Sequence, residues 1–348
     1  MQPPLTPIRE RAKQHDVQQP AISLISRGDI ARSLSISRSL ELARIAYAAT
    51  ATGHALHSSL GHVAAPEGEF HIKGSGLVVD GRLFAAVKVA AYFPERTTTL
   101  KQPSIVGLIQ LFDGANGQPL AVMESELITK LRTAAGTAVA LDQLARADAR
   151  RLLVCGTGAQ ALPHIETVAA IRDLESVQLW SRCPERAQAT LAELRERFPD
   201  LQTDIAQDVS AAARRADLIV CLTSASKPFL HTGDARPGTT IAAVGSDTPE
   251  KQELSTELLA SATLVCDVTH QCAHAGELHH ALEAGVITLA DVRGEIGEVI
   301  AGQRDGRRTQ DEIVVFDSTG TAVQDTAPAA ALYLATKNAP KADVWAMN

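Results

Sequence analysis

Apolar and polar positions fall into three successive patterns along the chain. From residue 26 to 51 the apolar residues recur at helical spacing, with Ser35, Ser37 and Ser39 as candidate caps or breaks. Residues 69–93, EFHIKGSGLVVDGRLFAAVKVAAYF, instead give strand-like runs divided by glycines and by Asp80-Gly81, a hairpin signal. A second hairpin follows: residues 105–112, the turn DGANGQP with Asn116-Gly117 at its tip, and LAVMES. Residues 128–144 then predict an Ala-rich helix, uninterrupted until Gly136.

Beyond a charged stretch at 145–150 the pattern changes again. Short β-rich runs at 152–155, 177–180, 218–223, 240–244 and 264–268 alternate with helical spacing, which predicts a parallel, doubly wound sheet. A further strand is expected at 312–316 and a final Ala-rich helix at 327–336. The fold class is therefore α/β, a Rossmann sheet preceded by an α+β unit. The expected division is a flexible arm at 1–20, a first domain at 21–148 completed by the C-terminal helix within 325–348, and a Rossmann domain at 149–324. A chain of 348 residues is long enough for two such cores.

Composition narrows the partners. The net charge is −7 and the basic residues are dispersed, which argues against nucleic acid. No apolar run reaches the length of a membrane span and the polar start lacks the centre of a signal peptide, so a cytoplasmic protein is expected. The five cysteines, Cys155, Cys183, Cys221, Cys266 and Cys272, have no C-x-x-C spacing. They are expected to be reduced core residues, with no metal site.

Candidate chemistry centres on RLLVCGTGAQALPHIETVAA at 151–170, a strand, a glycine-rich turn and a helix start. Gly156, Gly158 and Ala161 supply G-x-G-x-x-A around Ala159 and Gln160: a tight turn, a backbone position open to a pyrophosphate, and a small residue for helix packing. The second strand of the unit ends Trp180-Ser181-Arg182, with no carboxylate before Glu185. A hydroxyl and a guanidinium there suit a 2′-phosphate, so NADP(H) is favoured over NAD(H), unless Arg182 merely caps a loop in solvent. Thr223, ending a strand at the edge where such sheets bind ligands, is a candidate neighbour of the nicotinamide ribose or a plain turn residue.

With IKG, AVKVAAYFPE, GQPLAVMESELITKLRTAA, GTGAQA, AVGSDTPEKQEL and FDSTGTAVQD in this order, the chain resembles the ornithine cyclodeaminase and mu-crystallin family from about residue 26 to its last helix. The resemblance implies a homodimer whose first domain binds substrate and makes the dimer contact, while the Rossmann domain holds a nicotinamide cofactor. By motif, Lys88 and Arg132 resemble the holders of the substrate α-carboxylate. A carboxylate taken out of water needs such directed cations, although a lysine on an edge strand is by itself more often a surface residue. Asp247 in GSDTP resembles the catalytic acid near the substrate nitrogen, in a setting that also suits a turn residue. Thr133 and Ser104 resemble contacts to cofactor phosphate, and Ser318 the position near the nicotinamide.

The chain departs from the family pattern in two places. SSLGHVAAPEGEFHIKGSG has no arginine; Lys73 stands as a replacement cation and His71 as a hydrogen-bond donor or acid. Arg96 replaces the asparagine of FP-x-N, either facing water or matching a second substrate carboxylate. The expected activity is an NAD(P)H-dependent reduction of a small α-imino acid, of ketimine, pyrroline- or piperideine-2-carboxylate or iminosuccinate type, reversible as an amino-acid dehydrogenase. The alternative is an ornithine-type cyclodeaminase that recycles its nicotinamide internally and releases ammonia.

Overall fold

Two large sheets, a small parallel pair formed by Ser226–Leu230 and Gln252–Leu254, and the helices among them make up the architecture. A computed structural model describes residues 21–56, 59–337 and 343–346; the arm expected at 1–20 lies outside the described residues. The first sheet has seven strands in the spatial order Asp343–Ala346, Ala21–Ile25, Pro119–Glu124, Ile105–Asp113, Arg82–Tyr92, Gly68–Val79 and Ser59–Ala65. Both hairpins form as the turn residues predict. Asp80 and Gly81 take φ +50° and +75°, and Gly117 takes +74°. Ser35 caps helix Ile36–Thr52, separating it from helix Arg27–Ser33.

The second sheet has eight strands, all parallel, in the order Gln202–Ile205, Ser176–Trp180, Arg151–Cys155, Leu218–Cys221, Thr240–Ala243, Val314–Asp317, Thr263–Cys266 and Val292–Glu295. Its order reverses between Arg151–Cys155 and Leu218–Cys221, the crevice where open parallel sheets bind ligands. Four central strands, Leu218–Cys221, Thr240–Ala243, Val314–Asp317 and Arg151–Cys155, are buried almost throughout, as strands covered on both faces must be. Buried Asp217 pins the start of one of them, accepting from the Arg150 and Arg151 amides at 3.1 and 3.0 Å.

Helix Glu126–Leu144 joins the two sheets. Glu124 caps it, accepting from the Glu126 and Leu127 amides at 2.6 and 3.1 Å. Its far half packs on helix Ala161–Ala169, where Thr137 Oγ1 meets His164 Nε2 at 3.1 Å. Helix Val323–Lys337 returns to the first sheet, and Val323, Ala327, Ala330 and Tyr333 share a core with Leu77, Phe84, Ile109 and Leu111. All five thiols are free and four are buried. No helix of the described residues is long and apolar enough to cross a membrane.

Candidate active site

The turn after strand Arg151–Cys155 is shaped for close approach of a ligand. Gly156 takes φ +109°, and a Cβ there would stand 2.9 Å from the Leu222 carbonyl oxygen, so no side chain fits. At Gly158 nothing lies within 4 Å of where a Cβ would stand. Ala161 is fully buried and opens helix Ala161–Ala169, leaving that helix's first amides without intrahelical partners. Thr157 Oγ1 and Gln160 Oε1 are buried with no hydrogen-bond partner. Open space at Gly158, the unpartnered Thr157 hydroxyl and the positive end of a helix dipole fit the pyrophosphate of a dinucleotide.

A cation cluster forms where the first sheet meets the last helix. Lys73 and Lys88 stand directly opposite each other on neighbouring antiparallel strands, a like-charge pairing that is unfavourable by itself. Asp325, in the first turn of helix Val323–Lys337, supplies the counter-charge. Its carboxylate lies 2.6 Å from Lys88 Nζ and 3.1 Å from Arg132 Nε. Arg132 also donates to Gln324 Oε1 at 3.3 Å, and Lys73 donates to the Thr319 and Gly320 carbonyls at 3.1 and 2.9 Å.

Burial governs the protonation of this cluster. It pushes Lys88, only 3% exposed, down to about 7, against the pull of Asp325 and with help from Arg132 and Lys73. Burial also lowers Lys73. For Asp325 burial acts upward, but Lys88 and Arg132 outweigh it and hold the carboxyl below its usual range. Three cations against one buried carboxylate leave a surplus of positive charge that suits a single anionic headgroup.

Asp247 lies in the loop after strand Thr240–Ala243. Lys251 Nζ donates to its Oδ1 at 2.5 Å, and its charge reaches Lys73 across the crevice. Behind this loop, buried Glu253 accepts from Thr223 N and Thr223 Oγ1, each at 2.7 Å, and from Gly245 N at 2.9 Å. Glu277 in turn accepts from the Glu253 and Leu254 amides at 2.7 and 3.1 Å. Asp317 then accepts from the Glu277 and Leu278 amides at 3.2 and 2.9 Å. The backbone of each acid is thus fastened by the next, and burial pushes Glu253 and Asp317 up to about 7. Asp267 does the same for the Ser318–Gly320 loop, accepting from Ser318 Oγ at 3.0 Å and Gly320 N at 2.7 Å.

The profile of the ornithine cyclodeaminase/mu-crystallin family matches residues 67–339. This chain belongs to that family. A Delta(1)-pyrroline-2-carboxylate reductase from Bacillus cereus is 35% identical over 258 residues, 74% of this chain and 78% of the relative. An archaeal alanine dehydrogenase, solved as a dimer with bound NAD, superposes with a TM-score of 0.88 at 29% identity, covering 94% of this chain and 100% of that one. The Thermococcus litoralis Delta(1)-pyrroline-2-carboxylate reductase, solved with NADH and L-proline, gives a TM-score of 0.86 at 27% identity, covering 92% and 99%.

Within this family member the structure gathers most of the expected site residues. Lys73, Lys88 and Arg132 converge, and Asp247 faces them. Gly156, Gly158, Ala159, Gln160 and Ala161 form the turn, with Ser181 and exposed Arg182 beyond the next strand, where Arg182 has no ion pair among the described residues. Thr133 lies one helical turn from Thr137, the residue that meets the helix of the glycine turn, and its hydroxyl donates to the Thr129 carbonyl at 2.6 Å.

The remaining expected residues have these hydrogen-bond partners. The Thr223 hydroxyl is committed to Glu253 and that of Ser318 to Asp267. His71 shares Glu69 with His62, at 2.9 and 2.7 Å, beside Lys73 on the same sheet face. Ser104 sits before strand Ile105–Asp113, its carbonyl accepting from Phe93, and no hydrogen bond ties it to the glycine turn among the described residues. Arg96 donates from Nε to Pro103 O and from Nη2 to Gln102 Oε1, at 3.1 and 2.6 Å, which braces its own loop.

Asp325 and Glu253 were not among the expected residues. A lone acid among the apolar residues of TAVQDTAPAAALYLA is the signal that marks Asp325. Glu253, inside the polar run PEKQEL, has none.

Proposed function

We propose that the chain is an NAD(P)H-dependent reductase of a small α-imino acid, of ketimine, pyrroline- or piperideine-2-carboxylate or iminosuccinate type, reversible as an amino-acid dehydrogenase. The observation that carries this reading is the pairing of buried Lys88 and Arg132 with Asp325, with Lys73 beside them on the Thr319 and Gly320 carbonyls and Asp247 on the opposite wall of the crevice. The nicotinamide, when bound, supplies or takes the hydride. Arg132 and Lys88 hold the substrate carboxylate, and Lys73 adds charge from the neighbouring strand. Asp247, steadied by Lys251, hands a proton to the imine nitrogen during reduction and takes one from the amine during oxidation. Fixing the carboxylate and the nitrogen at once sets the α-carbon in one position, and that positioning supplies much of the rate.

Gly156, Gly158 to Ala161, and Thr133 hold the cofactor's phosphates in this reading, with NADP(H) preferred over NAD(H) because Ser181 and Arg182 stand where a ribose-binding acid would exclude a 2′-phosphate. The two sheets divide the work, with residues 21–148 and the last helix holding substrate and residues 149–324 holding cofactor. The chain pairs as a homodimer through the outer face of the first sheet, where Leu24, Val63, Phe70, Val89 and Leu108 are exposed. Support for pairing comes from the archaeal relative, solved as a dimer.

The test is purified protein with NADPH or NADH against pyrroline-2-carboxylate, piperideine-2-carboxylate, pyruvate plus ammonia, and iminosuccinate. Reduced-nicotinamide absorbance falls with at least one substrate if the proposal holds. Ammonia release from ornithine with no net absorbance change would replace it with the cyclodeaminase reading, and silence in every assay would overturn both.

A further inference from the structure

We infer that helix Glu277–Glu283 carries a binding site for a divalent transition-metal ion of the zinc type, formed by His279, His280 and Glu283. The sequence reading expected no metal site, and the inference stands independently of the proposed reaction. One ligand atom from each residue lies within 4.8 Å of the other two. His279 Nε2 is 3.5 Å from Glu283 Oε2, close to the separation of about 3.3 Å between two donors bound tetrahedrally to zinc at about 2.0–2.1 Å.

Both rings are already held as metal ligands are held. His279 Nδ1 lies 3.3 Å from the Ala273 carbonyl oxygen, and His280 Nε2 lies 2.8 Å from that of Lys251. A carbonyl only accepts, so each of these nitrogens carries the ring proton. His279 Nε2 and His280 Nδ1 are therefore left with lone pairs. Donation of the second ring N–H to a main-chain carbonyl fixes the tautomer and aim of metal-bound imidazoles. Two imidazoles and one carboxylate suit zinc and its neighbours over calcium or magnesium, which take oxygen ligands. The Glu283 side chain is 68% exposed, so an ion reaches the site from solvent.

The location gives the ion something to brace. Glu277, on the same helix, holds the Glu253 and Leu254 amides, while His280 holds the Lys251 carbonyl. Lys251 is the partner of Asp247. A bound ion ties the last turn of this helix together and secures the scaffold behind the Asp247 loop.

Tag-free protein, stripped with a chelator, is titrated with Zn2+ against a chromophoric competitor. The wild type takes up one ion; Glu283→Gln and His279→Gln each weaken uptake roughly tenfold or more. His270→Gln, which breaks the neighbouring histidine pair whose ring centroids are 4.6 Å apart, leaves it unchanged. Zn2+ also raises the melting temperature of the wild type and not that of Glu283→Gln, a variant whose exposed position spares the fold. No uptake by the wild type, uptake that survives Glu283→Gln and His279→Gln unchanged, or uptake that vanishes with His270→Gln overturns the site.

Discussion

Raising the pH from 6 to 8 is expected to weaken binding of a small carboxylate about tenfold, through Lys88 alone. Burial among Arg132 and Lys73 brings this ammonium down to about 7 in the free protein. One pH unit either side of that value leaves about ten-elevenths of the sites charged at pH 6 and about one-eleventh at pH 8. A carboxylate seated between Lys88 and Arg132 requires the charged form and restores its proton. Binding therefore takes up about half a proton per ligand at pH 7 and about nine-tenths at pH 8.

Calorimetry with pyrrole-2-carboxylate, whose ring does not titrate here, in two buffers of different ionisation heat reads that uptake directly. Lys88→Arg, permanently charged, should bind with no uptake and a flat pH profile. Buffer-independent heats and unchanged affinity in the wild type from pH 6 to 8 would refute the argument. The same shift acts on folding. Between about 7 and 10.5 the unfolded chain holds more protons at Lys88 than the folded one, so this group's contribution to stability improves as pH rises across that window.

Other perturbations separate the parts of the site. Asp247→Asn should retain cofactor binding by fluorescence titration and lose turnover; undiminished activity removes Asp247 from the proton step. Arg182→Asp should weaken NADPH more than NADH, and equal effects on both would mean that the 2′-phosphate is not read there. Asp325→Asn leaves Lys88 and Arg132 buried without their shared counter-charge, a loss of the kind that costs about 3–5 kcal/mol. Its melting temperature should drop and partly recover with a bound carboxylate, whereas a melt equal to wild type contradicts the pairing.

Periodicity and turn chemistry exposed most of the architecture, because the central strands of the second sheet are buried on both faces and spell continuous apolar runs. The strands of that sheet that the pattern did not announce, Gln202–Ile205 and Val292–Glu295, are its two edges. Neither is fully buried at any position, so QTDI and VRGE carry polar residues that a loop would also carry. Strand Ala21–Ile25 escaped for a different reason. It is five residues long, and its place is fixed by pairing with Pro119–Glu124, nearly a hundred residues away.

The site divides along the same physical line. Lys88 was legible through its motif, with flanking alanines and valines in support, since by itself a lysine on a strand reads as a surface residue. Its partner, Asp325, lies more than two hundred residues on, and the register of Lys73 against Lys88 that makes it necessary exists only once the hairpin is formed. Thr223 was legible as a polar residue at a strand end and Ser318 through its motif, but what their hydroxyls bond is decided by Glu253 and Asp267, brought in from distant segments that no local pattern pairs with them.

Because Asp325 arrives on the last helix, synthesis delivers the positive half of this pocket long before the negative half. A nascent chain that has emerged as far as the Rossmann strands already contains both lysines and the arginine, with nothing to neutralise them. Closure of the first core must therefore wait until this helix has been made, and any truncation that removes it deprives the chain of its binding pocket as well as of a packing element.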